Sequence, residues 1–478
     1  MSAVVVGSGP NGLAAAVTLA RAGVPVTVLE ASDHYGGALR STTFGDTSAT
    51  IDLGSAIHPF VGASPFFTGW AAMERLSYVT PEISYAHPLE DGQAAIAYRD
   101  IRRTIDELGP HGRAWQRTFA RATENVGSVA TTATRPVLRS ILDPRGPLAL
   151  TPGIAHAMLG DLRGRNGLAD ALFSGLAAHS GAPSGGLSSA SVGVVLGALA
   201  HSTGWPLPAG GAQRLADALV EDLTAHGGIL HLGQPIEQWE DIPPADIVLL
   251  ATSGIDARRI LASRAGHPAR PPRTLPQGPG VFKVDLLLSE PIPWANPQVR
   301  LAPTVHLGGS AQEVRHSEHE VASGRVPANP FVMLTQPTVV DPERGQGYHT
   351  AWAYTRVPPG CPVDMTEAIL TQIEAVAPDA RQTIVGITVT PPGALQALNR
   401  SLVGGDILGG TTRGLDFARR PTFHPAPWRT RFRSVYHCSS AVAPGPGVHG
   451  MPGYLAALDA LRTHYNLPAP NLRPTSTI

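Results

Sequence analysis

The sequence predicts an α/β fold in which a parallel sheet is built from several chain segments and an α+β unit is inserted between them. The first 30 residues read as a strand, a glycine-rich turn, a helix and a second strand, the opening of a parallel βαβ unit. A similar succession returns after residue 210, with a helical pattern at 215–225 and a buried apolar run at 247–251. The length of 478 residues is about three times that of a typical domain, which favours more than one domain.

Each element is assigned from its own pattern. The predicted strands are 4–6, 26–29, 229–232, 236–239, 247–251, 281–288, 331–334 and 349–354. The predicted helices are 13–22, 215–225, 365–375 and one that begins near residue 451, with a set of short helices across 97–175. The helix at 13–22 is apolar almost all round, so we expect it to be packed between other elements.

Composition excludes several classes of function. Hydrophobic residues make up 43% and charged residues only 15%, so the chain is not a disordered polyelectrolyte. The formal net charge of −1 gives no field that would attract nucleic acid. Cys361 and Cys438 lie far apart without neighbouring ligand residues, so we predict no metal site and no dithiol site.

Residues 171–213 contain no Asp, Glu, Lys or Arg, which raises the question of a membrane segment. Glycines and a proline at 181–186 interrupt this stretch, and its longest apolar piece, 192–200, is far shorter than the ~18 residues that a span needs. We therefore expect a buried or substrate-facing segment, with peripheral membrane contact as the alternative. The chain starts with a strand pattern and no leader pattern, so a cytoplasmic location is expected.

The strongest motif is a G-x-G-x-x-G turn between the first strand and the first helix. It comprises Gly7, Gly9, Pro10, Asn11 and Gly12. The first glycine allows a tight turn, the second lets a pyrophosphate approach the backbone, and the third lets helix and strand pack closely. Glu30 ends the second strand, where its carboxylate can bind an adenosine ribose. The spacing predicts a Rossmann-like dinucleotide site, and because no arginine follows Glu30 closely, FAD or NAD is favoured over NADP.

The residues after Glu30 carry a resemblance to a known family. Glu30 and Ala31 are followed by Gly36, Gly37 and Arg40, a pattern similar to the start of the flavin-containing amine oxidase and phytoene desaturase superfamily. The segments at 52–59, 208–219, 282–294 and 439–454 also resemble its phytoene-desaturase-like branch. The resemblance covers most of the chain and implies that the dinucleotide is FAD.

The same resemblance implies roles for further residues. Ile236 corresponds to the position whose backbone meets the adenine, and Gly450, Met451 and Tyr454 belong to the loop and helix that face the flavin. Lys283, the only lysine of the chain, lies on the strand that in flavin amine oxidases carries a lysine bound through water to flavin N5.

His58 and His449 fall in matched motifs near the flavin and are candidates for acid or base catalysis; a role in shaping the pocket is the alternative. His201 and Trp205, at the end of the uncharged stretch, are predicted to line the substrate cavity. The expected FAD-binding domain comprises residues 1–60, 205–275 and 425–478, and the expected substrate-binding domain comprises 61–204 and 276–424.

These features together predict an FAD-dependent oxidoreductase that transfers hydride from a C–H bond of a small, largely apolar substrate to flavin N5. Oxygen or a quinone would accept the electrons. The alternatives are a flavin amine oxidase, a flavin-dependent isomerase without net oxidation, and a flavin-binding protein without activity. The chain has no second G-x-G-x-x-G that follows a strand, so a separate NAD(P)H site is not expected. The sequence does not indicate the oligomeric state.

Overall fold

The computed structural model describes residues 1–264 and 274–473. Two parts of the predicted FAD-binding domain, residues 265–273 and 474–478, lie outside the described residues. The strands are β1 (Ala3–Val6), β2 (Val26–Leu29), β3 (Ser41–Thr43), β4 (Thr50–Asp52), β5 (Tyr78–Val79), β6 (Ile83–Pro88), β7 (Ala94–Tyr98), β8 (Leu207–Pro208), β9 (Ile229–His231), β10 (Ile247–Leu250), β11 (Gly280–Leu288), β12 (Thr304–Leu307), β13 (Val332–Thr335), β14 (His349–Val357), β15 (Ile384–Thr390) and β16 (Val435–His437). The helices are α1 (Pro10–Arg21), α2 (Pro65–Gly69), α3 (Ile101–Glu107), α4 (Gly112–Glu124), α5 (Val126–Ala133), α6 (Val137–Ile141), α7 (Arg145–Leu162), α8 (Leu168–Ala178), α9 (Leu187–Ala200), α10 (Gln213–Ala225), α11 (Gly254–Arg264), α12 (Ala311–Ala322), α13 (Thr366–Glu374), α14 (Ala380–Thr383), α15 (Pro392–Leu398), α16 (Leu415–Arg419) and α17 (Met451–Ala460).

A five-stranded parallel sheet has the order β16-β10-β1-β2-β9. Successive residues of its strands alternate between two apolar clusters, one on each face. On one face α1, α10 and α17 cover residues such as Val5 and Val28. On the other face α11 covers residues such as Val4 and Val248. The central strands β1 and β10 are buried on both sides, which explains why they read as continuous valine, isoleucine and leucine runs.

A second, mixed sheet has the order β15-β11-β14-β13-β12-β6-β7, and of its pairs only that between β12 and β6 is parallel among the described residues. One face of this sheet is apolar and packs against α13. The other face carries polar and aromatic side chains, although its residues are also buried. Together the two sheets confirm the predicted α/β class with an α+β part.

Helices α4, α5, α7, α8 and α9 form a layer that fills much of residues 112–200. Helix α9 is buried over almost its entire length, which accounts for the absence of charged residues in that part of the sequence. Among the described residues, no helix combines the length and apolar character needed to cross a bilayer.

The predicted strand at 236–239 is wrong. The backbone N–H groups of Glu237 and Gln238 donate to the carboxylate of Asp241 at 2.9 and 3.0 Å, and a short 3₁₀ helix begins at Trp239. A local cap of this kind competes with a strand ladder for the same N–H groups. The predicted domain boundaries stay a prediction, although the strands of the five-stranded sheet come from residues 3–29, 229–250 and 435–437.

Candidate active site

The glycine-rich turn follows β1 at the carboxyl edge of the five-stranded sheet. Gly7 has a φ of +98°, which side chains rarely adopt. A Cβ atom at Gly12 would lie 2.0 Å from the carbonyl oxygen of Gly7, so only glycine allows α1 to start this close to β1. A Cβ at Gly9, in contrast, would meet no heavy atom of the described residues within 4 Å. Gly9 therefore faces open space where the other two glycines face packed backbone.

The first turns of α1 and α17 meet at this edge. A Cβ at Gly453 would lie 1.8 Å from the backbone oxygen of Asn11, so the two helices touch backbone to backbone. The N-cap residues of the two helices are Gly9 and Gly450, which offer no side chain to cap the helix. The positive dipole ends of both helices and the uncapped first turn of α1 thus meet in one region, where an anion can bind.

The start of α17 is shaped by its neighbours. Gly450 has a φ of +66°, and a Cβ there would lie 2.9 Å from the ring of Phe66. Met451 is buried, and the half-buried ring of Tyr454 lies 5.5 Å from that of Phe66. These contacts fix the direction of the first turn of α17 relative to α1.

Glu30 holds the glycine turn together. Its carboxylate accepts hydrogen bonds from the backbone N–H and hydroxyl of Ser8 at 2.8 and 2.6 Å, and from the N–H of Ser32 at 3.0 Å. The N–H of Gly36 donates to the carbonyl of Ser8 at 3.2 Å, so the pair Gly36 and Gly37 is joined to the same turn. Ala31 is half-buried beside Glu30.

The remaining predicted cofactor residues surround this turn. A Cβ at Gly37 would lie 2.9 Å from the Cα of Gly9, so the glycine pair passes directly over the turn. Arg40 is half-buried, and its guanidinium donates to the carbonyl of Leu398 at 3.3 Å. Ile236 is 8% exposed and packs in the apolar cluster on the α11 face of the sheet.

These residues fit FAD. Asn11, in the first turn of α1, has a buried side-chain oxygen without a hydrogen-bond partner among the described residues. The open space at Gly9, the uncapped start of α1, the carboxylate of Glu30 and the guanidinium of Arg40 supply what phosphates and a ribose require.

The two candidate histidines have different surroundings. The Nδ1 of His58 lies 3.1 Å from the hydroxyl of Tyr78, and its Nε2 is buried without a partner among the described residues. The Nδ1 of His449 accepts the N–H of Met451 at 3.1 Å and so caps α17. Burial lowers the pKa of each imidazole to about 4, so both are neutral at pH 7.

Lys283 lies in the centre of β11 and is almost fully buried. Its Nζ donates to the carboxylate of Asp285 at 2.6 Å and to the backbone oxygen of Asp52 at 3.0 Å. The carboxylate of Asp52 pairs with Arg344 at 2.8 Å, where both side chains are fully buried. Lys283 therefore belongs to a buried polar network that joins β11 to the end of β4. Burial raises the pKa of Asp285, and Lys283 opposes that shift.

A row of side chains crosses the polar face of the seven-stranded sheet. We call it the polar row; in sheet order it contains Tyr85, Thr304, Thr335, Trp352 and Asp285. The last four are cross-strand partners in register, and the parallel pairing of β12 with β6 sets Thr304 beside Tyr85. All five are buried. The hydroxyls of Tyr85, Thr304 and Thr335 and the indole N–H of Trp352 have no hydrogen-bond partner among the described residues.

The polar row faces the segment that leads to His58. Ala56 packs in one apolar cluster with Trp352, and Ile57 packs against both that cluster and the one that contains Tyr85. Residues 56–57 thus connect the apolar clusters that contain Tyr85 and Trp352 to His58, the next residue of the chain.

Three buried cations on or beside this face each contact a carboxylate. The pairs are Lys283 with Asp285 at 2.6 Å, Arg344 with Asp52 at 2.8 Å, and Arg356 with Glu318 at 3.3 Å. Burial raises the pKa of Glu318, and Arg356 opposes that shift. The face is rich in hydrogen-bonding groups, and its charges are matched.

The two predicted substrate residues, His201 and Trp205, differ in whether they have a group available for a ligand. Both ring nitrogens of His201 are engaged, Nε2 with the indole of Trp115 at 2.8 Å and Nδ1 with the carbonyl of Tyr98 at 2.7 Å. His201 therefore holds the helical layer to β7 and has no ring nitrogen left for a substrate. The ring of Trp205 stacks on Tyr85 at 4.9 Å, next to the polar row.

Sequence reasoning missed all five members of the polar row. The available signal was the alternation in β12 and β14, where polar or aromatic residues occupy every second position of buried strands. When a buried strand has one apolar face and one polar face, the polar face indicates a role other than core packing.

A separate cleft of about 320 Å³ opens where β10 and β16 end. Ser253, His437, Asp406 and Arg258 are among its lining residues. The carboxyl ends of parallel strands, where strand order reverses, are the usual ligand edge of such sheets. The cleft thus belongs to the edge of the five-stranded sheet and contains no residue of the polar row.

Comparison with known proteins gives a family match. The family model for flavin containing amine oxidoreductase matches residues 11–277, more than half of the chain. Over 315 residues the chain is 24% identical to pyridine nucleotide-disulfide oxidoreductase domain-containing protein 2 of Rattus norvegicus, which covers 57% of this chain and 54% of that protein. It is 36% identical over 119 residues to 4,4'-diapolycopene oxygenase of Methylomonas sp, 22% of each chain. The chain thus spans about half the length of the first relative and about a fifth of the second.

The fold is shared with solved structures. An oxidoreductase from Methanosarcina mazei superposes with a TM-score of 0.58 at 15% identity, over 97% of this chain and all of that chain. At this identity the likeness concerns the fold.

Proposed function

Since the chain belongs to the flavin-containing amine oxidoreductase family, we propose that this FAD-dependent oxidoreductase removes a hydride and a proton from a small, neutral, largely apolar organic substrate. The C–H bond of the substrate breaks, its electron pair leaves with the hydride, and loss of the proton from the neighbouring carbon gives a C=C bond. FAD, when bound, supplies the hydride acceptor. Oxygen or a quinone is the proposed final electron acceptor, and the cytoplasm is the proposed compartment.

The matched charges of the polar face carry the proposal that the substrate is neutral. An ammonium or carboxylate group would need an opposite charge that is free to receive it. Around this face the carboxylates of Asp285 and Glu318 are held by Lys283 and Arg356. An ammonium group would have to break one of these buried pairs to reach a carboxylate, whereas a neutral substrate leaves them intact. This favours oxidation of a neutral C–H compound over amine oxidation.

The cofactor would be held by the converging helix starts. The open backbone at Gly9 and the uncapped first turn of α1 would bind the pyrophosphate, with Arg40 as an additional donor. Helix α17 begins at Met451, so the positive end of its dipole lies beside Gly450 and His449.

His58 is the proposed proton acceptor. When its Nδ1–H donates to the Tyr78 hydroxyl, the unpartnered Nε2 presents a lone pair, and burial keeps the ring neutral. His449 already uses Nδ1 to cap α17, so its proposed role is to orient that helix. Lys283 remains a proposed catalytic residue, positioned by Asp285 and Asp52.

The test is an anaerobic titration of the purified yellow protein with compounds that share one carbon skeleton. Tetralin, 2-tetralol, 2-aminotetralin and tetralin-2-carboxylic acid differ only in the group that they carry. We expect the neutral compounds to perturb the flavin band and, where an oxidisable C–H bond is placed correctly, to bleach it. Bleaching by the amine alone would contradict the proposal and indicate an amine oxidase.

A further inference from the structure

The polar row is an unusual surface for a sheet interior. On the opposite face of the same strands, side chains such as Val305, Leu334 and Ala353 make an ordinary apolar core. On the row face, the hydroxyls of Thr304 and Thr335 are enclosed to the same degree, with 2% exposure each. Enclosing a hydroxyl or an indole N–H without a partner is costly, and most buried polar groups are paired. Four such groups in consecutive register positions therefore call for a partner that is not part of the chain.

We propose that the polar row binds a neutral oxygen function, a hydroxyl or a carbonyl, of a ring-containing substrate. This inference rests on the proposed function. It narrows the proposed substrate class from apolar compounds in general to apolar compounds that carry a neutral oxygen group. The indole N–H of Trp352 can only donate, whereas the hydroxyls of Thr304, Thr335 and Tyr85 both donate and accept. A carbonyl can accept from any of them, and a hydroxyl can accept from Trp352 while it donates to a threonine.

The rest of the row sets the size and shape of the ligand. Neighbouring strands are about 4.8 Å apart, so the three steps from Tyr85 to Trp352 span about 14 Å. The ring of Trp205 stacks on Tyr85 at 4.9 Å, and that of Trp352 lies 5.8 Å from Tyr354. Aromatic rings thus stand at both ends of the row, and the flat rings of a ligand can pack against them.

Burial keeps the phenol of the row in its neutral form. It raises the pKa of Tyr85 well above its ordinary value, so that phenol stays protonated. Asp285 ends the row and is occupied by Lys283. The hydrogen-bonding groups that remain for a ligand are therefore uncharged.

Thr335→Val is the decisive variant because it removes one hydroxyl and keeps the shape. Thr355→Val is its matched control: Thr355 is also buried, lies on β14, and points to the opposite face. The probes are 2-tetralol and tetralin, and binding to the holoprotein is measured by the flavin difference spectrum and by thermal shift. Thr304→Val provides a second variant of the row.

We expect Thr335→Val to weaken 2-tetralol binding about fivefold, which corresponds to the loss of one neutral hydrogen bond. Its affinity for tetralin, and both affinities of Thr355→Val, should equal those of the wild type. The inference is overturned if Thr335→Val binds 2-tetralol as the wild type does and only melts higher, because the hydroxyl then has no ligand to bind. It is also overturned if the wild type binds tetralin as tightly as 2-tetralol, or binds neither. Because thermal shift needs no turnover, the inference can fail on an active enzyme, and it can hold on a protein in which the proposed oxidation fails.

Discussion

Gly453→Ala tests whether the contact between α1 and α17 builds the cofactor site. The new methyl carbon would lie 1.8 Å from the backbone oxygen of Asn11, well inside any van der Waals contact. Neither atom sits on a flexible side chain, so α17 has to move away from α1. Overpacking of this kind costs about 1–3 kcal/mol or more, and the better helix propensity of alanine offsets about 1 kcal/mol.

The movement also displaces the first turns of both helices, so we expect a loss of FAD beyond the loss of stability. FAD content after gel filtration and the melting temperature of the protein measure the two effects. Gly127→Ala is the matched control, because Gly127 is also in a helix and a Cβ there would meet nothing within 4 Å. The control should keep its FAD and gain up to about 1 kcal/mol of stability. A Gly453→Ala protein with stoichiometric FAD and an unchanged melting temperature would refute the reasoning.

Three further predictions follow from the site. Lys283→Met should slow flavin reoxidation. It should also destabilise the fold by about 3–5 kcal/mol, because it leaves Asp285 buried and unpaired. Adding Asp285→Asn should restore stability but not the reoxidation rate, and an unchanged rate in either variant would remove Lys283 from the mechanism. Arg40→Ala should weaken FAD binding about tenfold through loss of a charge-assisted hydrogen bond, measured by reconstitution of the apoprotein, with equal affinities as the contrary result. The folded-state pKa of about 4 for His58 and His449 lies below the ordinary value of 6.5, so their stabilisation is complete above pH 6.5 and is lost as the pH falls toward 4. At pH 5 each histidine should lower the free energy of unfolding by about 2 kcal/mol relative to neutral pH. A melting temperature that stays constant from pH 7.5 to pH 5 would contradict this.

The cofactor side of the molecule was predictable because its signals are local. The glycine turn, the strand before it, the helix after it and Glu30 lie within 30 residues, and each position has a steric or hydrogen-bonding reason that a sequence displays. The family match confirms the flavin cofactor, and the two sheets confirm the α/β class. Local signals can also mislead, as at residues 236–239, where the side chain of Asp241 takes the N–H groups that a strand would use.

The substrate side was not predictable for a physical reason. The polar row is assembled from five strands whose positions range from Tyr85 to Trp352, and nothing in the sequence fixes their register. His201 shows the same limit in reverse. It stands in a promising stretch, but its two nitrogens are used by Trp115 and Tyr98, residues about a hundred positions away.

The absorption spectrum of the purified protein, followed by anaerobic titration with a neutral tetralin derivative and its amine counterpart, tests the central claim most directly. The account predicts a yellow protein that releases one FAD per chain and responds to the neutral compound. A colourless protein that cannot be reconstituted with FAD, or a flavin that responds only to the amine, would contradict it.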